Sequence, residues 1–127
     1  MKNIIFLFLL GLNTNVSAQW TSIGKTVNSQ HFLDLNTIQQ IDVYKRAWFK
    51  VEFFSNSNML NENIRSSYAL IEFDCREKKY RNLIIQYFKQ PNLVDPYVLS
   101  SSADEWQSIV PKTMSEIDLL VVCLNKL

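Results

Sequence analysis

Glycine and histidine are nearly missing from this chain, which has two glycines and one histidine in 127 residues. Beyond the first eleven residues Gly24 is the only glycine, so no Gly-rich phosphate loop, dinucleotide fingerprint or nucleophile elbow can be written. With His31 alone, a metal site has no second imidazole to recruit, and a serine or cysteine nucleophile would depend on that one ring as its base. Beside Phe32, His31 reads instead as a strand-edge side chain packed among aromatics. No cofactor is implied.

The first residues carry the features of an export signal. Met1-Lys2-Asn3 gives a short positive start, residues 4–12 are almost entirely apolar, and Val16-Ser17-Ala18 places small residues where a signal peptidase reads. Cleavage is expected after Ala18, dividing the chain into a signal at 1–18 and a single domain at 19–127. The apolar run is far shorter than the roughly 20 residues a bilayer span needs, so no membrane span is expected. No cysteine follows it closely enough to serve as a lipobox residue, and the expected location is periplasmic or secreted.

An excess of charge is also lacking. Without Lys2 the domain carries twelve basic and twelve acidic side chains, which gives no electrostatic reason to expect nucleic acid or an anionic membrane as partner. Asparagine is plentiful where glycine is scarce, at positions 28, 36, 56, 58, 61, 63, 82, 92 and 125. It tolerates the left-handed backbone region and is expected to make many of the turns.

The apolar period is mainly two. Short strands are expected at 20–23 and 31–35, with a turn or single helical turn through Gln40. The strongest strand signal spans 43–54, with Val43, Lys45, Ala47, Phe49, Val51 and Phe53 on a mostly apolar face and Tyr44, Arg46, Trp48, Lys50, Glu52 and Phe54 on a mixed one. A polar connection follows at 55–64. Residues 67–75 alternate again, the charged turn Arg76-Glu77-Lys78-Lys79 comes next, and 80–88 returns as the hairpin partner. A short strand is expected at 97–101. After Pro111, Thr113 and Glu116 fit a capping box, and Ile117, Leu120, Val121 and Leu124 share one face of an expected helix at 115–124. The fold class is therefore α+β: an antiparallel sheet of about five to six strands with a C-terminal helix.

Cys75 at a strand end and Cys123 near the helix end, in a chain with an export signal, predict a disulfide that ties helix to sheet. Closing a loop of about 48 residues is worth up to about 4 kcal/mol in the chain-entropy model. Glu72 and Asp74 share a face at strand spacing, as a carboxylate hydrolase arranges its acids, but they read more simply as a solvated face balanced by the basic residues of the turn. Trp20, Trp48 and Trp106 with five tyrosines leave rings for binding as well as for the core. An exposed edge or ring patch would suit another protein or a second copy of the chain as a homodimer partner.

Several segments, taken in order, resemble the surface-adhesin protein E family: Trp20-Thr21-Ser22-Ile23-Gly24; His31-Phe32-Leu33-Asp34 with Ile38; Arg65-Ser66-Ser67; Glu72-Phe73-Asp74-Cys75; Tyr80-Arg81; and the run from Trp106 to Pro111 before Cys123. The resemblance covers essentially the whole domain. It implies an exported bacterial domain of the cell envelope, not an enzyme, whose sheet and terminal helix are joined by the Cys75–Cys123 disulfide. The family takes its name from an outer-membrane adhesin that binds host matrix and serum proteins, which implies a protein partner, either a host matrix protein or an envelope protein. Within that reading, Arg76, Lys78, Lys79 and Arg81 and the connection at 55–64 are the expected contact residues, because loops and exposed charge carry recognition. A soluble periplasmic structural or stress-related protein without a host ligand is the alternative.

Overall fold

The computed structural model describes residues 18–57 and 63–126. The expected signal lies outside the described residues except for Ala18, and the middle of the connection expected at 55–64 lies outside them too.

Among the described residues, eight strands form one antiparallel sheet: β1 (Trp20–Lys25), β2 (Ser29–Asp34), β3 (Gln39–Ile41), β4 (Tyr44–Ser57), β5 (Ile64–Asp74), β6 (Lys79–Gln90), β7 (Val94–Ser100) and β8 (Gln107–Ser108). A continuous path of six runs β1-β2-β4-β5-β6-β7, while β3 pairs with β4 and β8 with β6. The total exceeds the five to six expected from sequence because β3 and β8 have three and two residues, too short to show a period. The sheet is followed by the helix α1 (Met114–Leu124). Among the described residues, no helix is long and apolar enough to cross a membrane.

Register decides what each strand presents. Ala47 lies opposite Ile71, Phe49 opposite Ala69 and Lys45 opposite Phe73, which places the apolar faces of β4 and β5 side by side. That face is covered by α1, giving a core of Leu33, Ile38, Ala47, Phe49, Phe73, Leu119 and Val122. Gly24 lets β1 approach the start of the helix, since a Cβ there would stand 2.9 Å from the Met114 sulfur.

Local chemistry sets the boundaries. Asp34 ends β2 by accepting the Asn36 N–H at 3.1 Å, which starts the 3-10 turn Leu35–Thr37. Asp42 takes a positive φ of 56° in the two-residue turn between Ile41 and Tyr44. Val43, expected on the apolar face of the strand, therefore lies in that turn and is 72% exposed. Of the asparagines among the described residues, only Asn92 has a positive φ; Asp42, Lys78, Leu93, Asp95 and Lys112 hold the other such positions.

The helix begins and faces differently from the sequence expectation. Thr113 is the N-cap residue but makes no side-chain cap bond, and its hydroxyl donates instead to the Val110 carbonyl at 2.7 Å. Glu116 reaches past it to accept the Lys112 N–H at 3.2 Å, so the reciprocal capping box does not form. The sheet-facing side carries Asp118, Leu119 and Val122, whereas Ile117, Leu120 and Leu124 of the expected apolar face are exposed. Val121 alone of that expected face packs against the core. The bond from Cys123 to Cys75 ties down the end of the helix in a rotation that turns Asp118, Leu119 and Val122 to the sheet. At the same end the Lys45 ammonium donates to the carbonyls of Val122, Cys123 and Asn125 at 3.4, 3.2 and 2.8 Å, satisfying the helix terminus.

Candidate partner-binding face

The sheet face turned away from α1 gathers charged and aromatic side chains. Arg46 on β4 lies directly opposite Glu72 on β5, and Glu72 lies opposite Arg81 on β6. Arg46 Nε donates to Glu72 Oε2 at 2.6 Å, while Arg81 Nε and Nη2 both donate to Glu72 Oε1 at 2.9 and 2.7 Å. The Glu72 side chain is 1% exposed, against 33% for Arg46 and 28% for Arg81. Such charge-assisted bonds across three strands offset the desolvation of the carboxylate. They also correct the reading of Glu72 as solvated: alternation assigned its face, but the flanking arginines and rings cover it.

Trp106 roofs one side of this cluster. Its ring lies 4.4 Å from the Arg81 guanidinium carbon and 4.9 Å from the Tyr44 ring. The segment is pinned on both sides of the tryptophan. Before it, Asp104 N–H donates to the Asn82 carbonyl at 2.9 Å and the Asn82 amide returns a bond to Asp104 Oδ2 at 3.1 Å. After it, β8 pairs with Lys79 and Tyr80, and the Tyr80 hydroxyl donates to Gln107 Oε1 at 3.0 Å.

A second aromatic group continues the same face toward β1. Trp48 and Tyr68 stack at 4.2 Å, Trp20 meets Tyr68 edge-on at 5.7 Å, and the Lys50 ammonium lies 4.5 Å from the Phe32 ring and 5.6 Å from Trp20. Lys50 is balanced by Glu52 at 3.6 Å. Burial, and to a lesser degree the Asp34 carboxylate, push the Tyr68 hydroxyl pKa above its ordinary value, so Tyr68 stays neutral at physiological pH.

The basic residues singled out from sequence do not form one patch. Arg76 and Lys78 are exposed on the β5–β6 turn, Lys79 is half-buried at the start of β6, and Arg81 lies two residues further along the strand, held by Glu72. In the expected contact connection at 55–64, β4 runs on to Ser57 and β5 begins at Ile64, and residues 58–62 lie outside the described set. Cys75 and Cys123 form the disulfide, with Cα atoms 5.8 Å apart. Asp74, paired in sequence logic with Glu72, instead accepts the Glu77 N–H at 3.0 Å within the turn. His31 hydrogen-bonds through Nε2 with the Ser29 hydroxyl at 3.0 Å, and burial lowers its pKa so that the ring is neutral.

Sequence reasoning missed the grouping of Tyr44, Arg46, Glu72, Arg81 and Trp106. Tyr44 and Arg46 were on the mixed face already; what could not be read was the register that sets Arg46 and Arg81 on either side of Glu72, and the path that brings Trp106 over them.

Residues 20–124 match the family model described as surface-adhesin protein E. Among solved structures, crystal form II of Haemophilus influenzae protein E superposes with a TM-score of 0.61 at 13% identity, covering 87% of this chain and 91% of that one. The selenomethionine form of the same protein gives 0.60 at 13% identity over 88% and 91%. Protein E from non-typeable Haemophilus influenzae gives 0.55 at 12% identity over 88% and 80%. At these identities the likeness is one of fold. No curated protein matches the chain.

Proposed function

The chain belongs to the surface-adhesin protein E family, and from that membership we propose that it is an exported, adhesin-like protein-binding module of the bacterial cell envelope and not an enzyme. The observation that carries this reading is the family match together with a sheet face on which guanidiniums and tryptophan rings, residue types favoured in protein contacts, lie partly open to solvent. The engaged state of the acids supports a non-enzymatic role, since Glu72 is bound to two arginines and Asp74 caps a turn. The partner is a host matrix protein or another envelope protein, met by this face and by the exposed Arg76 and Lys78 of the adjoining turn. A second copy of the chain is a further candidate, since Val94, Tyr97, Val98 and Leu99 of the edge strand β7 are exposed.

Saturable binding of the purified domain to an immobilised extracellular-matrix preparation or to envelope extract is expected. Its absence for both, with no self-association, would remove the reading. The alternative is a soluble periplasmic structural or stress-related protein without a host ligand. Cell fractionation separates the two: recovery solely from the periplasm of intact cells defeats adhesion.

A further inference from the structure

We propose that Arg46 and Arg81 form an acid-capturing point on this face, which takes a side-chain carboxylate from an acidic peptide segment of the partner protein. The inference rests on the protein-binding reading and adds to it the chemistry of one contact. Two guanidiniums share the single carboxylate of Glu72, so the cluster holds one positive charge in excess. Its layering turns that excess outward, because Glu72 is 1% exposed beneath arginines that are 33% and 28% exposed.

The remaining donors are placed for an oxyanion. Arg46 uses only Nε on Glu72, so neither of its Nη groups is bonded to another described residue. Arg81 uses Nε and Nη2 and keeps Nη1. A guanidinium edge presents two parallel N–H groups matched to the two oxygens of a carboxylate, a geometry an ammonium lacks. The Trp106 ring at 4.4 Å holds the Arg81 plane, and Tyr44 at 4.9 Å from Trp106 extends the wall. Holding the arginines in place before binding reduces the entropy lost when a partner docks. The same rings offer apolar area to the atoms flanking an acidic residue. Lys50, on the same face toward β1, already has Glu52 at 3.6 Å.

The probe is N-acetyl-hexaglutamate amide, titrated into the mature domain and followed by tryptophan emission and backbone amide shifts. Saturable binding that weakens with salt is expected, with the shifts centred on Arg46, Arg81 and Trp106. Arg46→Lys keeps a positive charge beside Glu72 but removes the Nη pair, and it is expected to weaken binding at least tenfold. Trp106→Leu leaves every ion pair in place and is expected to weaken it severalfold, which keeps the test decisive should Arg46→Lys unfold. Lys126→Ala, at the far end of the chain, is expected to change nothing.

The inference is overturned if the peptide does not bind, if a hexalysine peptide binds as well, or if both Arg46→Lys and Trp106→Leu bind like the parent. Inorganic phosphate displacing the peptide at lower concentration would also overturn it, by showing a general anion site. Binding to matrix or envelope preparations without hexaglutamate binding removes this inference alone, whereas failure of both removes the protein-binding reading as well.

Discussion

Asp118 is the residue most at odds with its surroundings. It lies on the sheet-facing side of α1, is 8% exposed, and its Oδ1 has no hydrogen-bond partner among the described residues. Burial pushes its carboxyl from 3.8 up to about 7. The folded state therefore keeps the proton through a range in which the unfolded chain has released it. The contribution of Asp118 to stability is most favourable below about pH 4, falls as pH rises from about 4 to about 7, and levels off above, where the buried carboxylate is charged in the fold. Asp118→Asn is expected to stabilise the protein at pH 8 by on the order of 2–4 kcal/mol, with little effect at pH 4. Urea denaturation at the two pH values checks this, and equal effects at both would contradict it. The sequence concealed the residue because a charge on a helix is ordinarily assigned to the solvent side. Glu72 was concealed for the same reason, since alternation reports a side chain's face and not what its neighbours lay over it.

At the scale of elements, the long strands were legible and the helix rotation was not. Residues 43–54 and 67–75 announce themselves by alternation; the observed β4 and β5 each run on at one end and stop a residue short at the other. In Leu119-Leu120-Val121-Val122 every position is apolar, so periodicity cannot choose among rotations of α1. The covalent tie and the packing of Leu119 and Val122 against the sheet make that choice. Cys75→Ala combined with Cys123→Ala is expected to cost up to about 4 kcal/mol, because the bond closes a loop of 48 residues in the unfolded chain. Denaturation of the oxidised and reduced parent protein gives the same comparison without mutation. A loss below about 1 kcal/mol would mean that Leu119, Val122 and the Lys45 contacts hold the helix unaided.

For the whole molecule, the sheet separates two tasks. One face supplies the core with α1 pressed on it; the other carries arginine, tryptophan and tyrosine whose charges and rings are partly open to water. The family resemblance, the fold class and the disulfide were readable from the chain. The arginine–tryptophan face was readable only as separate residues, because joining Arg46, Glu72, Arg81 and Trp106 requires the register of three strands and the return of the chain along β8. The proposal under test is that this open face binds protein. Its most direct test is equilibrium binding of the mature domain to an immobilised extracellular-matrix preparation, comparing Trp106→Leu with Leu120→Ala on the exposed side of α1. Saturable binding that falls severalfold with Trp106→Leu and is unchanged by Leu120→Ala is expected, whereas a loss confined to Leu120→Ala would place recognition on the helix side and overturn the proposal.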